Sequence, residues 1–397
     1  MKAIYASFLL TPCLSLAQAS DLQSQLEQGA FPQAIEQYAQ TSDNQSKFVN
    51  AICQLGSSIE NLQQQLYTYG FGVNSRTIGL RNQAPIAQNP NPEKIDYTKF
   101  RTIIEQFHKN LHAIEKTLTT LGDDDFYLPL DLTKVRFDVN QDGKRTELES
   151  SMALFLQINS RRPVSQQQAA EFDQFDGTIG FDRSDLIWLK GYVQVSLGLS
   201  DLVLAHDFEQ AFNAISNNLF QKPKNTLNAL GANDENYGDI ANLIAALHLA
   251  KMPVNEPERL VQSRQHLLNM VTLSKAMWES VLAETDDRKE WLPSPKQNSV
   301  TGITITAEMV KDWHLFLTEY EAILNGEKLI PHWRFKEMGI NLKRVFEESK
   351  ETDVVLWITG HAAVPYLEKG ERTKDDLWRQ LNQTFEGNFL GLSFFIN

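Results

Sequence analysis

At 397 residues, with 42% hydrophobic and 22% charged side chains, the chain has room for two or three domains and the composition of a folded globular protein, which excludes a disordered or collagen-like polymer. Its 50 Asp and Glu outnumber 37 Lys and Arg, and a net charge of -13 repels phosphate backbones and anionic lipid, so cations or neutral polymers are the expected partners rather than nucleic acid. After residue 19 no stretch supplies the roughly 20 consecutive apolar residues of a membrane span, so a transmembrane protein is not expected.

Residues 1–19 read as a signal peptide. Lys2 gives a weakly positive start, residues 3–16 form an apolar run, and Ala17-Gln18-Ala19 places small residues where a signal peptidase reads them. Cleavage before Ser20 is expected, which sends the protein to the periplasm or the exterior. A buried N-terminal helix is the competing reading, and Pro12 and the polar Asp21-Leu22-Gln23-Ser24 speak against it. Leu10-Thr11-Pro12 lacks the small residue a lipoprotein signal wants before Cys13. With Cys13 removed, Cys53 has no partner and no disulfide framework holds the fold.

Residues 20–125 form an N-terminal helical region. Phe48, Ile52, Leu55, Ile59, Leu62 and Leu66 recur at steps of three and four over 45–67, and Ile103, Phe107, Leu111, Ile114, Leu118 and Leu121 do so over 98–121. Cys53 sits on the first of these stripes, which favours packing over nucleophilic use. The Asn-, Gly- and Pro-rich segment 71–95 between the two helices reads as a mobile cover or a spacer. Residues 126–290 continue with helices over 146–159, 184–218, 236–250 and 256–284, the second apolar almost all round and therefore central.

Beyond a Pro-, Ser- and Gly-punctuated connection at 286–305, residues 291–397 carry a helix over 306–325 and then a mixed α+β pattern. Val354-Val355-Leu356-Trp357-Ile358 reads as a strand, and Leu329-Ile330 and residues 392–396 are further candidates. The fold class expected is mainly α: a multi-helix body with a small β element near the C-terminus.

One segment carries recognisable chemistry. Residues 138–149 place Asp138, Asn140 and Asp142 at loop positions 1, 3 and 5, Gly143 at 6, Lys144 at 7, Thr146 at 9 and Glu149 at 12. A hard divalent ion takes six to eight oxygens at about 2.3–2.6 Å, and alternate side chains of a tight turn can all point inward to supply them. This dozen resembles the EF-hand calcium loop. The resemblance implies Ca2+ as the bound ion, with Asp138, Asn140, Asp142, the Lys144 carbonyl, Thr146 and Glu149 as ligands. A solvated turn that caps a helix is the bland alternative. Arg145 stands where an EF-hand has an aliphatic residue, and Leu128-Pro129-Leu130-Asp131-Leu132 does not read as an incoming helix. The analogy is therefore to extracellular EF-hand-like loops, which hold a permanent ion. Residues 172–183 lie at paired-loop spacing, yet put Phe172 at position 1 and Arg183 at position 12. They read either as a non-binding partner loop or as a β-turn followed by a helix that Asp182, Ser184 and Asp185 cap.

Catalytic candidates are weaker. Glu105, His108, His112 and Glu115 share a face that lies about 80° to 160° from Phe107 at 100° per residue, which is expected to be solvated rather than metal-binding. His206-Asp207 interrupts the central helix and must have partners, as a structural pair or as an acid and base. His332, Arg334 and His361 fall in the mixed region. Seven tryptophans, at 188, 278, 291, 313, 333, 357 and 378, could stack on sugar if exposed, though such residues more often fill cores. No nucleophile elbow, phosphate loop, dinucleotide fingerprint or H-E-x-x-H is present. The expected function is an exported calcium-binding protein that holds Ca2+ structurally and acts as a binding or scaffolding module of the cell envelope, with a protein or glycan partner. The rival is an envelope hydrolase whose cleft lies around His206, Asp207 and His332.

Overall fold

A computed structural model describes residues 16–72, 88–122, 124–160, 164–224, 237–389, 393 and 396. Residues 1–15, with most of the expected signal peptide, and 73–87, most of the expected cover, lie outside the described residues. The expected mainly α body is observed. The N-terminal helices are α1 (Leu16–Glu27), α2 (Phe31–Tyr38), α3 (Asn44–Thr68) and α4 (Tyr97–Thr119). Asp43 and Asp96 set the starts of the two long helices, because their carboxylates accept the N–H of Ser46 and Lys99 that would otherwise have no helical partner. Cys53 is fully buried on α3, and burial pushes its thiol up to about 12. It is a packing residue.

Strand β1 (Leu128–Asp131) pairs antiparallel with β2 (Thr178–Phe181), in a register that sets Leu128 opposite Phe181 and Asp131 opposite Thr178. Between them lie the 138–149 loop, α5 (Ser151–Ser160) and α6 (Gln166–Asp173). Helix α7 (Arg183–Leu204) is central: it packs most extensively on α10 (Pro257–Ala283) and also on α4. The Asp182 carboxylate accepts the N–H of Ser184 and Asp185 while Asp185 accepts that of Asp182, a reciprocal cap of the kind these residues were expected to form.

The apolar run 184–218 is two helices rather than one. Helix α7 ends at Leu204 and α8 (Glu209–Leu219) begins five residues later. The Ala205 carbonyl is taken by the N–H groups of Asn255 and Glu256, and the Asp207 N–H donates to the Pro253 carbonyl, so the backbone between the helices is committed to another segment. Asp207 then accepts the Glu209 N–H at 3.0 Å and opens α8. Nor is α7 buried all round: Leu199, Leu202 and Val203 face solvent.

After α9 (Tyr237–His248), β3 (Lys251–Pro253) pairs with β6 (Glu351–Asp353), and α11 (Ala307–Leu324) precedes a three-stranded sheet of order β4 (Ile330–His332), β5 (Phe335–Ile340), β7 (Leu367–Glu368). Helix α12 (Leu342–Glu348) and the amphipathic α14 (Asp375–Thr384) complete this part. The strand expected at 354–358 is instead the short helix α13 (Val354–Ile358), because Asp353 accepts the Leu356 N–H at 2.9 Å and turns the chain into a helix where β6 ends. Ser393 and Ile396, the described residues of the other expected strand, are helical. The small β element near the C-terminus is therefore β4, β5 and β7.

Two large core clusters hold the body. The first joins Leu22, Leu26, Phe48, Leu111 and Leu118 to Leu130, Phe137, Ile179, Leu186 and Leu197, so it links the N-terminal helices to β1, β2 and α7. The second gathers Met277, Trp278, Trp313, Leu317, Leu381 and Phe385 between α10, α11 and α14. Of the seven tryptophans, Trp278 and Trp313 are core, while Trp333 is 70% exposed at the β4–β5 turn with the Arg334 guanidinium stacked 4.4 Å from its ring.

Candidate functional site

The 138–149 loop is a turn closed at its base by backbone. The Phe137 N–H donates to the Glu149 carbonyl at 3.1 Å and the Ser151 N–H to the Val135 carbonyl at 2.7 Å, and Arg136 bridges Ser150. The helix expected from residue 146 is consequently interrupted. Glu147–Glu149 form a single 3₁₀ turn, Ser150 is extended, and α5 starts only at Ser151. Glu149 thus ends a turn rather than lying inside a continuous exiting helix.

Inside the loop, the side chains at positions 1, 3 and 5 turn back on the backbone, while the Gln141 amide reaches the Thr68 hydroxyl of α3. Asp138 Oδ2 accepts the Gly143 N–H at 3.1 Å, Asn140 Oδ1 the Asp142 N–H at 3.0 Å, and Asp142 Oδ1 the Lys144 N–H at 2.8 Å. Gln141 (φ 59°) and Gly143 (φ 76°) adopt left-handed backbone, which is what makes the reversal sharp. Asp138 is only 9% exposed, and its second oxygen, Oδ1, is buried with no hydrogen-bond partner. A buried carboxylate oxygen left without a donor is costly, and a cation would supply what it lacks.

Glu149 is also buried, with both oxygens engaged: Oε1 accepts the Val139 N–H at 3.1 Å, and Oε2 accepts the Thr146 N–H and hydroxyl at 3.0 Å each. The loop is anchored to α3, where Glu60 accepts the Asp138 N–H at 2.8 Å and pairs with Arg145 at 3.2 Å, and Gln64 donates to the Asp138 carbonyl at 2.8 Å. Arg145, the residue at odds with the family pattern, is thus spent on α3. Within 172–183, β2 pairs with β1 and sets Ile179 opposite Leu130, so its ladder runs to β1 and not to the 138–149 loop.

The face of Glu105, His108, His112 and Glu115 is divided: Glu105 and His112 are exposed as expected, whereas His108 lies in a helix junction. His108 is buried and bonds Ser200 on α7 through Nδ1 at 2.8 Å, with Nε2 3.4 Å from Asp201. Asp201 is 0% exposed, receives Arg259 Nη1 of α10 at 2.8 Å, and has His266 Nε2 3.6 Å away. Burial holds the His108 and His266 imidazoles below their ordinary range. The α4–α7–α10 junction therefore sets two carboxylates, Asp201 and Glu256, on the Arg259 guanidinium, with two imidazoles whose protonation burial disfavours beside Asp201.

His206 and His332 are each held by separate neighbours. His206 bonds the Leu202 carbonyl at 2.7 Å and the Thr352 hydroxyl at 2.8 Å, and burial lowers its pKa. His332 Nε2 bonds the Gly360 carbonyl at 2.9 Å and its Nδ1 accepts the Arg334 N–H at 3.1 Å. His361 is exposed and bonds Thr359. Among the described residues no hydrogen bond joins His206 or Asp207 to His332, and the rings' nitrogens are occupied by structure.

One grouping was not visible in the sequence. Asp182, Glu284 and Glu290 each offer a carboxylate oxygen within 4.8 Å of the other two, and among the described residues theirs is the one acidic group drawn together so closely. Asp182 and Asp185 were read as caps, which they are, while Glu284 ends α10 and Glu290 lies in the following connection. Nothing in a spacing of about 100 residues signals their meeting.

No protein-family model, no curated protein and no solved structure matches this chain. Its function has to be argued from the site alone.

Proposed function

We propose that residues 138–149 form a structural calcium loop and that the protein is an exported, calcium-stabilised binding or scaffolding module of the cell envelope. The observation that carries this reading is Asp138: nine-tenths buried at the first loop position, with one oxygen holding the Gly143 N–H and the other unpartnered. Asp138, Asn140, Asp142, the Lys144 carbonyl, Thr146 and Glu149 supply oxygen donors, the set a hard divalent ion prefers. Glu149 would give up its bonds to Val139 and Thr146 to join them. Such an ion would stabilise the base of the loop, which ties α3 to the Phe137 and Ser150 strands of chain and so to the first core cluster.

Export is supported by the apolar N-terminal run and its small-residue cleavage pattern, and among the described residues no helix is long and apolar enough to cross a membrane. At millimolar calcium and a dissociation constant near 10⁻⁴ M, binding adds about 1 to 2 kcal/mol by mass action. Thermal melts of the wild type and of Glu149→Gln, each in calcium and in chelator, test this. The expected result is a calcium-induced rise that is larger in the wild type. Identical calcium responses in the two proteins would overturn the loop as a binding site.

A further inference from the structure

The cleft at the start of α7 is built from charge of one sign. Asp182, Ser184, Asp185, Trp188, Glu284 and Glu290 line it, and the space between them admits about one water-sized sphere. Two of the four carboxylates belong to almost fully buried residues: Asp185 is 6% and Glu290 is 5% exposed. Each has a single oxygen engaged by backbone. Asp185 Oδ2 accepts the Asp182 N–H at 3.1 Å and Glu290 Oε1 accepts the Arg288 N–H at 2.7 Å, while their second oxygens have no hydrogen-bond partner among the described residues. Asp182 likewise uses Oδ1 for the cap and leaves Oδ2 free. Glu284 receives the Ser184 hydroxyl and the Gln297 amide.

The charges acting most strongly on these groups are other carboxylates: Asp182 on Asp185, Glu284 and Glu290, and Asp286 on Asp182 and Glu290. Arg288 contributes only its backbone N–H to the cluster, its guanidinium pairing with Asp286, and Lys289 pairs with Asp176. The positive end of α7 offsets roughly half a charge. Against up to four carboxylates that is too little. The C-terminal end of α10, which Glu284 closes, adds partial negative charge rather than removing it.

We propose that Asp182, Glu284 and Glu290, with Asp185 beside them, form a divalent-cation site that is distinct from the 138–149 loop and takes a hard ion of the calcium, manganese or magnesium class. Two oxygens on opposite sides of one such ion lie about 4.2 to 5.2 Å apart, and the three carboxylates already stand within 4.8 Å of one another. The donor set is oxygen alone, which disfavours zinc and other metals that seek nitrogen or sulfur. Site and loop sit on different joints: the loop on α3, the cleft where α7, the end of α10 and the 286–305 connection converge.

Terbium titration of the full chain, excited through tryptophan and displaced by calcium, manganese or magnesium, reads the cleft through Trp188 on its wall. The Glu149→Gln variant keeps the loop from dominating the signal. Calcium-displaceable emission is expected in that background, weakened on adding Trp188→Phe, with Trp291 beside it as the remaining donor, and lost on adding Glu284→Gln with Glu290→Gln. The same neutralised protein, in chelator at about pH 8, is expected to melt higher than its parent, because removing like charge relieves repulsion, while no longer rising with calcium. Glu284→Gln alone serves if the double change fails to fold. Absence of displaceable emission in Glu149→Gln, or a calcium response that survives loss of both glutamates, overturns the proposal. So does a variant that melts higher in chelator when the parent has no calcium response, since the cluster then holds shared protons instead of an ion.

Discussion

Replacing Arg259 by Met should be among the most damaging single changes in the protein. Asp201 is 0% exposed, and Arg259 is its one permanently charged neighbour, at 2.8 Å. Truncating one partner of a buried ion pair typically costs about 3–5 kcal/mol, because the other charge is stranded in a medium that solvates it poorly. Two features place the cost at the low end of that range: Arg259 is 21% exposed in its side chain, and His108 and His266 stand 3.4 and 3.6 Å from Asp201, so either ring can take up a proton and replace part of the lost charge. Urea unfolding of Arg259→Met should show an unfolding free energy lowered by about 3 kcal/mol, through a lower midpoint with little change in slope. NMR titration should find one of the two imidazoles with a raised pKa. Changing Asp201 to Leu in the same chain should recover much of the loss, since the other carboxylate on Arg259, Glu256, is part-exposed and keeps Arg101. A cost below about 1 kcal/mol for Arg259→Met, with both imidazoles unmoved, would refute the junction's electrostatics.

Stability should depend on pH with opposed slopes. Glu284 is pushed up from 4.5 to about 7 by burial first and then by Asp182, so the folded state holds a proton the unfolded chain has lost, and stability falls as pH rises through that window. Glu284→Gln should therefore gain on the wild type progressively from about pH 4.5 to 7 and level off above, and a gain independent of pH in chelator would contradict this. His108, His206 and His266 act in the other sense: burial holds each below 6.5, so stability is lost as pH falls below that value, and melting curves recorded toward about pH 5 should show it. Gly143→Ala meets no atom within 4 Å but keeps a left-handed φ of 76°, so it should cost about 1 kcal/mol through backbone strain alone, and a neutral melting temperature would show that the turn relaxes.

The long helices were legible because a stripe at steps of three and four has a direct physical cause: α3, α4, α10 and α11 begin and end within two residues of the expected bounds. Apolarity alone was a poorer guide. Val354-Val355-Leu356-Trp357-Ile358 has β-branched residues suited to a strand, but the Asp353 cap decides for a helix, and composition carries no trace of the Ala205 and Asp207 backbone bonds that split 184–218. His108 was placed on the wrong side of α4 because a face defined relative to Phe107 assumes one core. Helix α4 has a core on one side and the α7–α10 junction on the other, and polar residues line the second. The 138–149 loop was readable as a sharp local turn, but the bonds that Asp138, Asn140 and Asp142 make to its own N–H groups were not part of that reading. The acidic cleft was not, since its members meet only after α7 and α10 pack.

The pairing of β1 with β2 also has a kinetic side. Leu22 and Leu26 share a core with Ile179, Phe181 and Leu197, and among the described residues β1 has β2 as its strand partner. On a ribosome adding about 5–20 residues per second, the first of these leucines waits on the order of ten seconds for the last of its neighbours to emerge. Through that interval the nascent segment shows an unsated strand edge and open apolar stripes, the state in which holding factors bind and aggregation begins. Truncated forms that stop ahead of residue 197 inherit the same exposure permanently.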